Sequence, residues 1–183
     1  PTIGIDSTSG LEYSQPYYWN IAPNRDATIT PTLMSKRGVS LGTEFRYLEP
    51  NYSGVLDTLY MPDDQLRDRD RWGYNWRHAT SLDSPVGNLG LQWDLNRVSD
   101  DNYWRDFNTM PGDGSRFGST SERLLSSSGQ LSWSAGKHRV SLYAQKWQVL
   151  QDVDAPISPP FNRMPQLRWN YDTTEWAAAG WDV

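Results

Sequence analysis

Apolar and polar side chains alternate along most of the chain with a period of two, the signature of strands with one apolar face. In residues 39–48, Val39, Leu41, Thr43, Phe45 and Tyr47 fall on one side, and Ser40, Gly42, Glu44 and Arg46 on the other. The pattern recurs in Ala27/Ile29/Pro31/Leu33, Trp72/Tyr74/Trp76/His78, Leu89/Leu91/Trp93/Leu95, Leu125/Leu131/Trp133, Val140/Leu142/Ala144 and Leu167/Trp169/Tyr171. In residues 55–61 both sides are apolar, and Leu56, Thr58 and Tyr60 are assigned outward on the ground that Asp57 must face water. Turn chemistry separates the segments: Pro23-Asn24, Ser35 to Gly38, Glu49 to Gly54, Pro85 with Gly87, and Gly136-Lys137. These signals predict an all-β chain, an antiparallel meander of about nine strands from residue 11 onward. Residues 1–10 are read as a lead-in segment or linker, and residues 101–107 as a short helical turn.

Three connections stand out. Residues 62–71 alternate Asp and Arg, a pattern open to a small ion network; they read as a solvated loop, because exposed ion pairs contribute only about 0–1 kcal/mol. Residues 99–122 form a long connection, and residues 151–165 a Pro-rich one. Residues 173–180 read as another turn.

Two prolines break the strand rules. Pro16 lies in the first strand and Pro31 in the second, and proline donates no ladder hydrogen bond. A hairpin folded about Pro23 and Asn24 brings them opposite one another and weakens the pairing of that hairpin, to itself or to its outer neighbour.

Composition decides what the apolar face touches. The chain has 183 residues, no Cys, 10 Trp, 10 Tyr and a net charge of −5; mean hydropathy is −0.74. No run approaches the ~18 apolar residues of a membrane helix. A membrane-spanning barrel remains open, because its lipid-facing and lumen-facing residues alternate and average to a polar sequence. A soluble sandwich or propeller would give the same alternation. Aromatics near strand ends, and charge on the polar face of nearly every strand, favour the barrel. The aromatics Trp72, Tyr74, Trp76, Trp93, Trp133, Trp169 and Tyr171 then form a lipid-facing girdle rather than a sugar-stacking surface. Asp26, Glu44, Arg46, Asp57, Arg77 and Asp94 form a lumen-facing polar wall. No catalytic constellation emerges, and with two histidines and no cysteine neither does a metal site. Asp63-Asp64 and Asp100-Asp101 lack calcium-loop spacing and read as solvated acids. The acidic balance, without a basic stripe, argues against nucleic acid.

Four motifs carry a resemblance: YYWNIAPNRDATITP (17–31), MSKRG (34–38), EFRYL (44–48) and VSDDNYWRDF (98–107). They resemble the lipopolysaccharide-assembly outer-membrane family LptD (OstA/Imp), with similarity from about residue 11 to residue 171. The resemblance implies the N-terminal part of a barrel domain over residues 11–183, too few strands to close the family's large barrel. It implies a lateral gate at Pro16 and Pro31, where the first strand parts from the last to release lipopolysaccharide into the outer leaflet. It further implies transport rather than catalysis, no cofactor, an LptE-like plug lipoprotein and an LptA-like periplasmic bridge reached through a preceding domain. A general porin or autotransporter barrel and a soluble carbohydrate-binding β-protein are the alternatives. The family orientation sends strand one outward and puts the long connections on the periplasmic side, against the usual barrel rule.

Overall fold

The computed structural model describes residues 1–107, 124–150 and 160–172, the side chains of residues 104 and 105 excepted. The strands are β1 (Thr2–Asp6), β2 (Gly10–Ser14), β3 (Tyr17–Ala22), β4 (Arg25–Met34), β5 (Gly38–Leu48), β6 (Tyr52–Asp64), β7 (Arg69–Ser84), β8 (Gly87–Val98), β9 (Leu124–Ala135), β10 (His138–Val149) and β11 (Arg163–Tyr171). One short helix, α1 (Tyr103–Asp106), follows β8. Among the described residues, all eleven strands belong to one antiparallel sheet in meander order, open at both edges, with β2 and β3 both paired to β4. The all-β meander expected from the sequence is therefore what forms. The parts of the long connections at residues 108–123 and 151–159, and the turn expected at 173–180, lie outside the described residues.

Three elements differ from expectation. Within the segment read as lead-in or linker, Thr2–Asp6 is a strand paired with β2, from Thr2 opposite Ser14 to Asp6 opposite Gly10. Its Ile3 and Ile5 extend the apolar face through Tyr13 and Leu11. The expected first strand is two collinear strands, interrupted at Gln15 and Pro16. The charged connection 62–71 is mostly strand: β6 runs to Asp64 and β7 begins at Arg69, leaving residues 65–68 as the turn.

The apolar face has no second sheet against it among the described residues. Leu33, Val39, Leu41, Tyr60, Leu131 and Leu142 stand well exposed, and Leu167 and Trp169 are 72% and 66% accessible. A soluble sandwich would bury these side chains between two layers. Buried apolar residues gather elsewhere, at the α1 end of the sheet: Leu59, Met61, Val98, Tyr103, Phe107, Leu125 and Leu150, with Met34 against them. Leu59 and Met61 share the parity of Asp57, so this core receives α1 on the otherwise polar face. Gly73 makes room for it, since a Cβ there would meet the Tyr103 ring at 3.0 Å. Burying Phe107 and Val98 contributes about 1.5–3 kcal/mol each.

Candidate functional site

The ladders sort the expected polar wall onto one face. Asp26 pairs with Arg46 across β4–β5, Glu44 with Asp57 across β5–β6, and Arg77 with Asp94 across β7–β8. Because directly opposed residues point to the same side, Asp26, Arg46, Val55, Arg77, Asp94 and Ser128 make one continuous row. Asp26 accepts two bonds from Arg46, at 2.7 and 3.0 Å, and a third from the Tyr18 hydroxyl at 3.3 Å. Asn75 and Asn96 donate to Asp94 at 3.0 and 2.8 Å. Asp57 was assigned to this side on the expectation that it faces water. Asp57 shares the face of Glu44, but it does not face water: Asp57 is 2% exposed and Glu44 6%. Solvent instead meets the guanidinium groups of Arg46 and Arg77, which stand about half exposed. The row borders a groove of about 660 Å³ that reaches from Asp26 on β4 to Tyr143 on β10. In a flat sheet those strands would lie about 29 Å apart, so the sheet curls around its polar side.

The seven expected girdle residues fall on the opposite face. Trp72 and Tyr74 stack near the α1 end, with ring centroids 6.2 Å apart. Toward the other end Trp76 meets Trp93 edge-on at 4.9 Å, and His78 stacks on Trp93 at 4.1 Å. The Trp133 indole donates to the Val86 carbonyl, and Trp169 and Tyr171 pack against His138.

The first hairpin departs from the expected geometry. The two-residue turn at Pro23 and Asn24 forms, with Ala22 opposite Arg25. A bulge between Asn20 and Ala22 then adds one residue to β3 and shifts the register. Pro16 and Pro31 are consequently not opposed: Gln15 donates its N–H to the Pro31 carbonyl at 3.1 Å, and the same register sets Pro16 across from Thr30. Along an antiparallel strand the N–H and C=O of one residue point the same way, and successive residues point to opposite sides. Pro31 therefore fails to return a bond to the Gln15 carbonyl, inside the hairpin. Pro16 lacks its donor on the outer side of the strand. β1 covers that outer edge only as far as Ser14, and the outer edge of β3 carries no strand among the described residues.

The largest feature missed from sequence is a buried ion cluster at the α1 end. A bulge between Met61 and Asp64 turns Asp64 inward beside Met61. Asp64 then meets Arg37 at 2.6 Å and Arg71 at 3.1 Å. Asp106, on α1, binds Arg37 at 2.8 Å, Arg71 at 2.8 Å and Arg67 at 2.9 Å, and Arg71 Nε lies 2.5 Å from Asp100. The rings of Tyr103 and Phe107 flank Arg71, at 5.6 and 5.0 Å from its guanidinium carbon. Arg37, Asp64 and Arg71 are essentially inaccessible. Asp64 and Asp100, read as solvated acids, are instead arginine partners that pin α1 to the sheet. Alternating charge in a turn-rich stretch gave no sign of burial; the partners come from four separate places in the chain.

Burial pushes the Asp106 carboxyl up. Hydrogen bonds from Arg67 and Arg71 and the charges of Arg37 and Arg71 outweigh that and hold it down at about 2, against 3.8 unperturbed. A depressed carboxylate contributes stability that is present above the unfolded pKa and lost as pH falls through the folded one. The contribution of Asp106, about 2 kcal/mol, should thus be constant above pH ~4 and vanish toward pH ~2. Melting of the full-length protein and its Asp106→Asn variant in detergent checks this: the gap between them should stay fixed from neutral pH to about 4 and close only below.

A sequence model of the LPS transport system D family, LptD, matches residues 69–182. The chain is 60% identical over 172 residues to the LPS-assembly protein LptD of Acidovorax sp. (strain JS42), covering 93% of this chain and 21% of that protein. The Bordetella pertussis protein of the same name is 42% identical over 168 residues, covering 91% of the chain and 20% of the relative. The one from Bordetella avium is 39% identical over 183 residues, covering the whole chain and 22% of the relative. The chain spans about a fifth of the length of these relatives. A single meandering sheet with opposed apolar and polar faces, matched over more than half its length by one family, makes this chain a member of the LptD family.

Proposed function

We propose that the chain is a section of barrel wall from an outer-membrane lipopolysaccharide translocon. Its apolar face meets acyl chains, and its curled polar face lines a hydrated conduit for the sugar–phosphate part of the glycolipid. The exposed Leu- and Trp-bearing face of a single sheet carries this proposal, since monomeric soluble proteins rarely expose apolar patches beyond a few hundred Å². Asp26, Glu44, Arg46, Asp57, Arg77 and Asp94 belong to the conduit. Trp72, Tyr74, Trp76, Trp93, Trp133, Trp169 and Tyr171 anchor the wall in the bilayer. Pro16 and Pro31 each remove one donor at the first strand, on its two sides, and make it the weak side of a lateral gate. An LptE-like lipoprotein fills the lumen, and lipopolysaccharide arrives over an LptA-like bridge through a domain outside this chain. The protein moves its cargo without chemistry on it, and the energy is supplied elsewhere on the bridge. Strand β3 runs outward, which sets the 65–68 turn and α1 at the periplasmic end.

Gln130 borders the groove, and its neighbour Leu131 points to the apolar side. A photo-crosslinking residue at position 130 of the full-length protein in cells should capture lipopolysaccharide by its saccharide part. The same residue at 131 should capture membrane phospholipid. Saccharide adducts at 131 with none at 130 would reverse the face assignment.

A further inference from the structure

We propose that the wall has a second opening point, between β8 and β9 at the α1 end, closed by side chains instead of a backbone ladder. The β8–β9 ladder runs from Asn88 opposite Ser134 to Asp94 opposite Ser128 and stops there, although β8 continues to Val98 and β9 begins at Leu124. β9 stays paired with β10 over this stretch, down to Leu124 opposite Val149. β9 and β10 thus leave β8 together, as one leaf.

The backbone groups that β8 turns toward the gap are met by side chains. Asn96 N–H donates to the Ser127 hydroxyl at 3.0 Å, and that hydroxyl donates back to the Asn96 carbonyl at 2.8 Å. The Asn96 amide donates to the Ser126 carbonyl at 2.9 Å. Gln148, on β10, serves Val98 as a strand would: its oxygen accepts the Val98 N–H at 3.1 Å, and its nitrogen donates to the Val98 carbonyl at 2.8 Å. A wall in lipid must satisfy every backbone group, and here Ser127 and Gln148 do so where a neighbouring strand does not. The other side of the same β8 end is fixed. Val98 pairs with Gly73, Ser99 donates to Trp72, and Asp100 is clamped by Arg71. Tyr103, Phe107, Leu125 and Leu150 fill the space at the mouth of the fork. Parting at this place breaks no ladder pair; it exchanges a few side-chain bonds for water and draws Leu125 and Leu150 away from Tyr103 and Phe107, so β9–β11 turn on the upper ladder as a leaf against β1–β8.

Hydrogen exchange of the full-length protein in detergent, followed amide by amide, tests this without reference to transport. The Asn96 and Val98 amides, which face the gap, should exchange at least about tenfold faster than those of Gly90 and Gln92, which face the laddered part of the same seam, because sub-global opening exposes the first pair only. Gln148→Ala should speed Val98 by about a further tenfold and leave Gly90 and Gln92 unchanged. Ser132→Ala, which removes a bond to the Gly90 carbonyl inside the laddered part, should leave Asn96 and Val98 unchanged. Equal protection of the two pairs, or no response of Val98 to Gln148→Ala, would overturn the proposal.

Discussion

Arg71→Ala in the full-length protein is expected to be among the most damaging single substitutions in this wall. Arg71 is fully buried and touches Asp64, Asp100 and Asp106 at once. Its loss leaves Asp64 and Asp106 on Arg37 and the rim residue Arg67, and takes from Asp100 its arginine partner, with their desolvation no longer offset. Removing one partner of a buried ion pair costs about 3–5 kcal/mol, far more than the pair itself contributes. The contrast is Arg67→Ala: Arg67 is one-third exposed and binds Asp106 from the rim, and its loss should cost about 1 kcal/mol or less. The readout is the temperature at which the folded barrel in detergent loses its compact gel mobility, together with protease cleavage near residues 99–107. Arg71→Ala should lower the first sharply and open the second, and Arg67→Ala should do little to either. Equal effects of the two would mean that the cluster does not hold α1 in place.

The second large effect concerns the first hairpin. Pro31→Val restores a donor aimed at the Gln15 carbonyl and should stabilise the β2/β3–β4 pairing by about 0.5–1.5 kcal/mol. Pro16→Val restores a donor on the other side of the strand, toward whatever strand closes the barrel. The two act on different pairings, so the double variant should tighten the first strand on both sides. In cells it should reduce lipopolysaccharide at the surface severalfold while barrel abundance stays normal. Surface lipopolysaccharide unchanged in the double variant would overturn the proposed gate role of the two prolines. Loss in Pro16→Val alone would locate the opening at the outer edge, and loss in Pro31→Val alone inside the hairpin.

Strand positions were legible wherever alternation was clean. β5 carries Val39, Leu41 and Phe45 against Ser40, Glu44 and Arg46, and it forms as the pattern dictates. β6 was ambiguous for a physical reason. Leu59 and Met61 occupy the parity of Asp57 because the α1 end of the polar face is an apolar core, so both sides of the strand look greasy. β1 has the same alternation in miniature, Ile3 and Ile5 between Thr2, Gly4 and Asp6, but its five residues are too few to separate from turn-rich sequence. The opposition of Pro16 and Pro31 failed on a single bulged residue in β3, and nothing in Asn20-Ile21-Ala22 announces it. The burial of the ion cluster was not legible because its members come from separate stretches, Arg37, Asp64 with Arg71, and Asp100 with Asp106, and a second bulge is needed to turn Asp64 inward. Alternation reports which side a residue takes; it carries no information on what lies across from it.

Meander order has a consequence for biogenesis. Apart from the β2–β4 contact around the interrupted first strand, each described strand shares a backbone ladder only with its neighbours in the chain. Each new hairpin therefore finds its template in the one just laid down, with short loops to close everywhere but after β8 and β10, and little entropy lost per step. The sheet is suited to being added strand by strand as the polypeptide enters the bilayer, with one raw margin at the growing front for an insertion machine to shield.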